Sequence, residues 1–313
     1  MTMPPWQPVT GHRDQLGESP YWHPDEGRVY WVDIPGRALR RLDPRTASLD
    51  SWPMPHEPGC IAPVRGGGLV IALRTGIFRA HEWGGALELL QAAPYDTATT
   101  RCNDGKADPV GRFWIGTLFE PKHTPAGELF SLDARTAPMR FDRNAGGVTT
   151  ANGLAWSPDA RTLYWTDTQA HVVRAWHWDA ATNALSDERV MARFDAKPAG
   201  WQPGQPGYGG RPDGAAVDAD GNYWCAMYEG GRLLQLSPGG QVLRELATPF
   251  LCPTMPCFGG DDLRTLYVTS AGNRSDDELA RYPLSGRLVA LRVDVPGLPV
   301  NFFIDAPQEL HAG

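Results

Sequence analysis

Four polar residues are suited to supply oxygen ligands to a metal ion. Two offer carboxylates and two offer amide oxygens, which coordinate without adding charge; they are Glu18, Asn103, Asn152 and Asp213. Hard oxygen donors of this kind favour a divalent cation that keeps several waters, such as calcium, magnesium or manganese. Open positions on such an ion are where substrate and water bind. The set therefore predicts a metal site.

A simpler interpretation applies to each of these residues alone, because Asn and Asp are common in turns, where they satisfy backbone groups. The four together favour the metal site. Carboxylates that converge without a cation would repel and raise one another's pKa values.

The elements that must position these residues form a repeat. Each copy runs from a polar or thiol residue through a short apolar stretch and a turn rich in Pro, Asp and Gly into an aromatic or β-branched pair, which is a β-hairpin signal. The six copies begin at Glu18, Cys60, Asn103, Asn152, Asp213 and Cys257.

The spacing of the repeat predicts the fold. Successive pairs, from Tyr30-Trp31 to Tyr267-Val268, lie 40, 43, 51, 59 and 44 residues apart, which suits four short strands per propeller blade. We expect an all-β, six-bladed β-propeller in which residues 1–313 form a single domain, with residues 1–13 and 301–313 as peripheral tails. Circular closure would bring the starting positions together around one mouth of the central channel.

Composition limits the partners and the compartment. The formal net charge is -7 with no run of Lys or Arg, which argues against nucleic acid or an anionic membrane as partner. Five cysteines without a C-x-x-C pair favour free thiols in a reducing compartment. The N-terminus lacks a signal-peptide core and no stretch is long enough to span a membrane, so the expectation is a cytoplasmic monomer with a small-molecule ligand.

Blade geometry places further residues at the same mouth. Arg101 precedes the third inner strand, and Glu120 should re-emerge near the level of Asn103 after the second strand of that blade. Strand alternation predicts that Asp104 turns away if Asn103 points inwards. The Gly- and Pro-rich stretch from Ala196 to Pro212 should lie over the mouth, either as a binding element or as a plain connector.

The two thiols and the many tryptophans have structural interpretations. Cys60 and Cys257 occupy the remaining ring positions, and we expect them to be small buried hydrophobes rather than ligands of a soft metal. Several of the twelve tryptophans recur in the repeated pair, so packing between blades is their expected role.

Four segments resemble the signature blocks of a known family, the gluconolactonases, also called senescence marker protein or regucalcin-like sugar lactonases. The segments are LGESPYW, RCNDGKADPVGRFWIGT, ANGLAWSPDARTLYWTDT and RPDGAAVDADGNYW. The resemblance spans about residues 14 to 295. It implies a six-bladed propeller, one divalent metal ion and hydrolysis of aldonolactones.

The resemblance also assigns roles to residues. It implies that Glu18, Asn152 and Asp213 bind the metal, whereas Arg101, Asn103 and Glu120 contact the substrate. Asn103 thereby moves from the metal to the sugar. The metal is left open among calcium, manganese, magnesium, zinc and iron. The stretch from about Ala196 to Gly210 and the tail NFFIDAPQELHAG depart from the family pattern.

A lactonase mechanism follows for this set. A cation can polarise the carbonyl of the cyclic ester, hold water and stabilise the charge of the tetrahedral intermediate. Asp213 is the best candidate to accept the proton from water, although it can equally be a ligand only. Two alternatives remain: a non-catalytic metal- or ligand-binding regulatory propeller, and a propeller esterase or phosphotriesterase acting on non-sugar substrates.

Overall fold

Six four-stranded antiparallel sheets account for nearly all regular structure in the part of the chain that is described. The computed structural model describes residues 5–305. The first three sheets are β2 (Gly17–His23), β3 (Arg28–Asp33), β4 (Ala38–Asp43) and β5 (Ser48–Pro53); β6 (Pro58–Pro63), β7 (Leu69–Leu73), β8 (Gly76–Ala80) and β9 (Glu88–Ala92); and β10 (Thr100–Ala107), β11 (Phe113–Phe119), β12 (Gly127–Asp133) and β13 (Arg140–Val148).

The other three sheets repeat this order, except that the last takes its fourth strand from the beginning of the chain. They are β14 (Ala151–Trp156), β15 (Thr162–Asp167), β16 (Val172–Asp179) and β17 (Ala184–Arg193); β18 (Arg211–Val217), β19 (Tyr223–Tyr228), β20 (Arg232–Leu236) and β21 (Val242–Ala247); and β22 (Pro253–Gly259), β23 (Thr265–Ser270), β24 (Val289–Arg292) and β1 (Gln7–Pro8). One short helix, α1 (Asp276–Arg281), follows β23.

The first strand of each sheet lines a central channel. Strands β2, β6, β14 and β22 are buried along their whole length, whereas the outer strand β21 is exposed over most of its length. Each inner strand contacts the next, and β22 contacts β2, so the sheets close into a ring. The predicted six-bladed β-propeller is confirmed.

Both ends of the described chain are part of the propeller rather than peripheral, which differs from the expectation for residues 1–13 and 301–313. Gln7 pairs with Ala290 in the last sheet, and the Trp6 indole packs in the core and donates to the Ala247 carbonyl at 2.7 Å. Phe303 is fully buried. Residues 1–4 and 306–313 lie outside the described residues.

The last segment crosses the channel at the ends of the inner strands. Its backbone N–H groups at Leu298, Phe303 and Ile304 donate to carbonyls that follow or belong to three different blades, at 3.3, 2.9 and 2.9 Å. The segment therefore covers the end of the channel opposite the starts of the inner strands.

The turn between the first and second strands explains the recurring Asp and Trp residues. In two blades one carboxylate oxygen, of Asp108 or Asp218, accepts from two backbone N–H groups of the turn. The other oxygen accepts from the indole of Trp114 at 2.9 Å or Trp224 at 2.8 Å. Both tryptophans are fully buried, which agrees with the packing role predicted for them.

A bulge interrupts the pairing of the inner strand in every blade. The register shifts between Glu18 and Tyr21 in the first sheet and between Asn152 and Ala155 in the fourth, with counterparts in the other four. Gly153 lies in the bulge with φ +59°. A β-carbon there would meet the Tyr223 hydroxyl oxygen at 2.1 Å, so only glycine satisfies both the conformation and the close approach.

The five cysteines are free thiols and all are buried. Cys60 packs in a core cluster with residues of the second and third blades, and Cys257 packs with Trp22 and Tyr267. The expectation that these two thiols are small buried hydrophobes is confirmed. Within residues 5–305, no helix has the length and apolar character needed to span a membrane.

Candidate active site

A chain of hydrogen bonds joins neighbouring blades at the starts of the inner strands. The Asn103 side-chain N–H donates to the Asn152 side-chain oxygen at 2.9 Å and to the Ala151 carbonyl at 2.8 Å. The Asn152 amide in turn donates to the Thr168 hydroxyl at 2.8 Å. Both asparagines are buried. Their contacts, with the bond that Asn103 Oδ1 accepts from Arg101, fix both amide orientations, with the Asn152 oxygen facing the Asn103 N–H group.

Arg101 and Glu120 reach the same level of the channel, as the blade geometry predicts. The Arg101 guanidinium donates to the Asn103 side-chain oxygen at 2.8 Å and lies 3.8 Å from the Glu120 carboxylate. Glu120 also receives two hydrogen bonds from Arg74, at 2.9 and 3.0 Å. These bonds, above all, lower the pKa of Glu120, so this partly exposed carboxylate is an acceptor of hydrogen bonds.

Glu18 and Asp213 are buried carboxylates that act on each other electrostatically. Burial first, and then the negative charges of Asp213 and Asp104, raise the pKa of Glu18 well above its ordinary value. Burial is also the main cause that raises the pKa of Asp213 to about 8, with Asp104 adding to it and Arg211 opposing it. The protein alone thus holds several like charges in a poorly solvated place.

Asp104 belongs to this group, contrary to the expectation that it turns away from Asn103. Its Oδ2 accepts from the Leu154 backbone N–H of the next inner strand at 2.9 Å, and its Oδ1 is buried without a hydrogen-bond partner among the described residues. The register shift between Cys102 and Gly105 explains the difference. A bulge breaks the period of two on which alternation depends.

The residues present fit a divalent ion bound by few protein groups. Within residues 5–305, no cluster of three or more His, Cys, Asp or Glu side chains is arranged to hold a metal ion. The set implied by the resemblance is Glu18, Asp213 and the amide oxygen of Asn152, and its donors are of the kind that would hold such an ion. The raised pKa values of both carboxylates and the unpartnered oxygen of Asp104 indicate a place where a cation would relieve repulsion.

One ammonium group already lies within the channel. Lys106 donates to the Ala215 carbonyl across the channel at 2.5 Å. Burial lowers its pKa, while the charge of Asp104 opposes that effect. With a divalent ion bound, Lys106 and the ion would balance the three carboxylates Glu18, Asp104 and Asp213.

The long Gly- and Pro-rich segment lies at the mouth, as expected from its place before Asp213. It connects β17 to β18, and Trp201 within it packs against Leu251 and Cys252. Lys197 binds the Glu229 carboxylate at 3.0 Å, and the Tyr208 hydroxyl lies 2.7 Å from His171 Nε2. The segment is thus anchored to the turns that surround the site.

A cavity lies at the other end of the channel. It has a volume of about 260 Å³ and its walls are mainly apolar, formed by the last residues of the inner strands and by Leu298–Asn301. Neither Glu18, Asn152 nor Asp213 lines it. The candidate site is placed at the polar end because the carboxylates, amides and guanidinium converge there.

Sequence reasoning missed Asp104, Arg74 and Thr168. A signal for Asp104 was present, because Asp104-Gly105 matches Asn152-Gly153 and Asp213-Gly214 as an amide or carboxylate followed by glycine. Arg74 and Thr168 carry no such signal. Arg74 belongs to the β7–β8 turn of the neighbouring blade, whereas Thr168 follows β15 in the same blade as Asn152.

Comparison with known families and proteins shows which family the chain resembles along most of its length. A family model described as the SMP-30/Gluconolactonase/LRE-like region matches residues 16–272. The chain is 45% identical over 289 residues to a 6-deoxy-6-sulfogluconolactonase from Pseudomonas putida, covering 92% of this chain and 94% of that protein. It is 36% identical to the pentonolactonase XacC from Haloferax volcanii, covering 84% of each.

A solved structure shows the same architecture. It is that of a calcium-binding protein, regucalcin, from Agrobacterium tumefaciens. It superposes with a TM-score of 0.86 at 25% sequence identity and covers 97% of this chain and 99% of that one.

Proposed function

Because the chain belongs to the SMP-30/gluconolactonase/LRE-like family, we propose that it is an enzyme that hydrolyses sugar lactones to aldonic acids. The resemblance drawn from the sequence segments is confirmed by this membership. Two relatives are lactonases by name. The proposal is supported above all by two buried carboxylates, Glu18 and Asp213, that act on each other electrostatically, together with Asn152 in hydrogen-bond contact with Asn103 and, through it, Arg101.

Glu18, Asn152 and Asp213 would hold one divalent ion, with two carboxylates and one amide oxygen as donors. When bound, such an ion supplies polarisation of the ester carbonyl and lowers the pKa of water. The regucalcin neighbour is a calcium-binding protein by its title, and the identity of the ion here stays open among calcium, manganese, magnesium, zinc and iron.

The protein's own side chains would orient the substrate. Arg101 presents guanidinium donors and Glu120 presents carboxylate acceptors, so together they can bind neighbouring sugar hydroxyls. The side-chain N–H groups of Asn103 donate to Asn152 and Ala151. A contact between Asn103 and a sugar would therefore use its side-chain oxygen, which accepts a hydrogen bond from Arg101. Binding of the sugar would therefore depend on Arg101 and Asn103 together.

Asp213 is the proposed acceptor of the proton that water loses as it attacks the carbonyl. Its burial favours the protonated form, since the pKa of this carboxyl is raised to about 8 in the protein alone. A carboxylate with a raised pKa is a stronger base than a solvated one. A cation beside it would draw the pKa down again, so its basicity depends on how many of its oxygens serve as ligands.

An assay of acid release tests the proposal. Freshly prepared gluconolactone and pentonolactones are incubated with the protein, with chelator, and with single metals restored after chelation. Acid should form faster than in buffer, stop with chelator and return with at least one metal. Asp213→Asn should abolish the enzymatic rate, whereas Asp294→Asn, which changes a 95% exposed carboxylate, should not.

The same assay separates the alternatives. A regulatory propeller would bind metal, seen as a rise in melting temperature on adding the ion, yet release no acid from any lactone. An esterase or phosphotriesterase would act on aryl esters or organophosphates and leave the lactones intact. Absence of metal-dependent acid release from every lactone would overturn the proposed function.

A further inference from the structure

Lysine is rare in this chain, and its few residues lie in the channel or at its mouth. Only three of the 29 Lys and Arg residues are lysines: Lys106, Lys122 and Lys197. Lys106 lies within the channel, bonded to the Ala215 carbonyl. Lys197 binds Glu229 at the mouth. Lys122 follows Glu120 in the turn after β11. Everywhere else the chain uses arginine as its cation.

Lys122 is an ammonium group without an acidic partner. No carboxylate among residues 5–305 lies within 4.0 Å of it. A turn closed by the bond from its N–H to the Phe119 carbonyl, at 3.1 Å, holds it at φ +57°. Burial first, and then the positive charges of Arg211 and Arg101, lower its pKa, while the more weakly acting charges of Asp213 and Glu120 oppose them. Lys122 thus stands beside other cations at the mouth.

A second group of cations faces it from the fifth and sixth blades. Glu229 lies within 3.0 Å of Lys197, 3.2 Å of Arg211 and 4.0 Å of Arg274. Within the described part of the chain, Arg274 alone of these three has a further carboxylate within 4.0 Å, that of Glu278 at 2.8 Å. Three cations therefore share two carboxylates.

The cations of the mouth exceed the carboxylates that neutralise them. Among residues 5–305, Lys122 has no carboxylate within 4.0 Å, and one charge among Lys197, Arg211 and Arg274 is also in excess. The carboxylates deeper in the channel would not offset the surplus once a divalent ion is bound, because the ion and Lys106 would together balance Glu18, Asp104 and Asp213. A neutral lactone would leave these positively charged side chains without a negatively charged partner.

We propose that Lys122 and Arg211 bind an anionic substituent of the substrate, a tetrahedral oxyanion such as a sulfonate or phosphate carried at the end of the sugar away from the ester. This proposal rests on the proposed lactonase function and gives it a substrate class. A three-oxygen anion accepts several charge-assisted hydrogen bonds at once, which suits one ammonium and one guanidinium. Lys197, on the long segment, holds Glu229 and so limits how much of Arg211 that carboxylate occupies.

Steady-state kinetics on matched lactones tests this. Gluconolactone is compared with the same lactone bearing a sulfonate or a phosphate at C6. The wild-type protein should prefer a charged lactone in kcat/KM. Lys122→Met should raise KM for that lactone about fivefold to tenfold, as expected for a charge-assisted contact at a partly exposed place, and leave the neutral lactone unchanged.

Two further variants make the result specific. Lys122→Arg keeps the charge and should restore most of the preference. Arg161→Met removes one exposed cation from the β14–β15 turn, at the opposite end of the channel, and should change neither substrate. Added salt should reduce the preference for the charged lactone, because exposed charge pairs are screened. The sulfonate and phosphate arms decide which oxyanion is bound better.

Different failures have different meanings. Equal kcat/KM for neutral and charged lactones, or an equal loss of both in Lys122→Met, would overturn the anionic substrate while the lactonase function stands. If no lactone is hydrolysed, a binding measurement still tests whether Lys122 contacts the anionic group. Reductive methylation with ¹³C keeps the lysine charges and gives three lysine signals; sulfonated gluconate should shift the Lys122 signal, and an unshifted signal would overturn the proposal.

Discussion

At the scale of residues, the candidate site depends on how its ligands are held. Asn152 contributes an amide whose two ends differ chemically, and only the oxygen can bind a cation. The Asn103 N–H group and the Thr168 hydroxyl together select one orientation of this amide, at 2.9 and 2.8 Å. Neither the Asn103 amide nor the Thr168 hydroxyl is charged, yet the two together decide which atom of the Asn152 amide is turned towards a bound cation.

Thr168→Val should therefore weaken metal binding without removing a ligand. The change keeps the shape of the side chain and deletes the acceptor for the Asn152 N–H group, so the amide can rotate. We expect the dissociation constant for the metal ion to be about tenfold higher, as for other groups that orient metal ligands. Calorimetric titration of the ion into protein freed of metal with chelator measures it.

The control for that variant is Thr248→Val, which removes another buried hydroxyl, one that donates to the Phe250 carbonyl. It should lower stability to a similar extent and leave the metal affinity as in the wild type. Unaltered affinity in Thr168→Val would contradict the orienting role.

The sequence predicts part of this site for physical reasons. Glu18 and Asn152 directly precede the bulges of their inner strands, and Asp213 lies one residue further on, within the bulge of its strand, so the repeat places all three at the same end of the channel. Asp104 was placed wrongly because alternation assumes regular pairing, which the bulge at Gly105 interrupts. Arg74 comes from the adjacent blade, and its approach to Glu120 depends on the packing of two sheets rather than on any local pattern.

At the scale of elements, the bulge of each inner strand is the device that turns ligands inwards. Glu18 and Asn152 directly precede residues in the left-handed region, Ser19 at φ +50° and Gly153 at φ +59°. The bulge leaves these positions out of the regular ladder, so their side chains are directed by local geometry rather than by the pleat. Hairpin signals in the sequence locate the strands but do not reveal the bulges.

Gly153→Ala should destabilise the protein strongly because of its surroundings as well as its dihedral angle. The new β-carbon would lie 2.1 Å from the Tyr223 hydroxyl oxygen and 2.5 Å from the Thr166 hydroxyl oxygen. We expect a loss of about 3 kcal/mol or more in the free energy of unfolding, measured by denaturant titration.

Gly27→Ala is the matched control, since Gly27 has φ +61° and a β-carbon added to it would meet no atom within 4 Å. It should cost only about 1 kcal/mol, the penalty of the left-handed conformation. Equal losses in the two variants would show that close packing of the bulge contributes nothing.

At the scale of the whole molecule, the ring is closed by its two ends. The last sheet takes β24 from the C-terminal part of the chain and β1 from the beginning, and Trp6 reaches across to the fifth sheet through the Ala247 carbonyl. The repeat spacing predicted six blades correctly. It could not predict how residues 5–13 and 301–305 pack, because they lie outside the repeat.

Trp6→Ala should lower the free energy of unfolding by about 3–5 kcal/mol, as for a large buried aromatic side chain. If the propeller is the single domain that we predict, circular dichroism and tryptophan fluorescence should still report one coincident transition, shifted to lower denaturant. An unshifted midpoint would mean that closure through β1 adds little. Two separate transitions in the wild type would contradict the single domain.

The strap formed by residues 298–305 lies at the end of the tunnel opposite the candidate site, where Leu298–Asn301 form part of the cavity wall. Reactant and product of the proposed reaction would therefore both pass the rim at the candidate-site end. The product carries a newly formed carboxylate, and it would leave past the same positively charged mouth through which the reactant enters. We therefore expect departure of the acid, rather than ring opening, to limit turnover once reactant is plentiful.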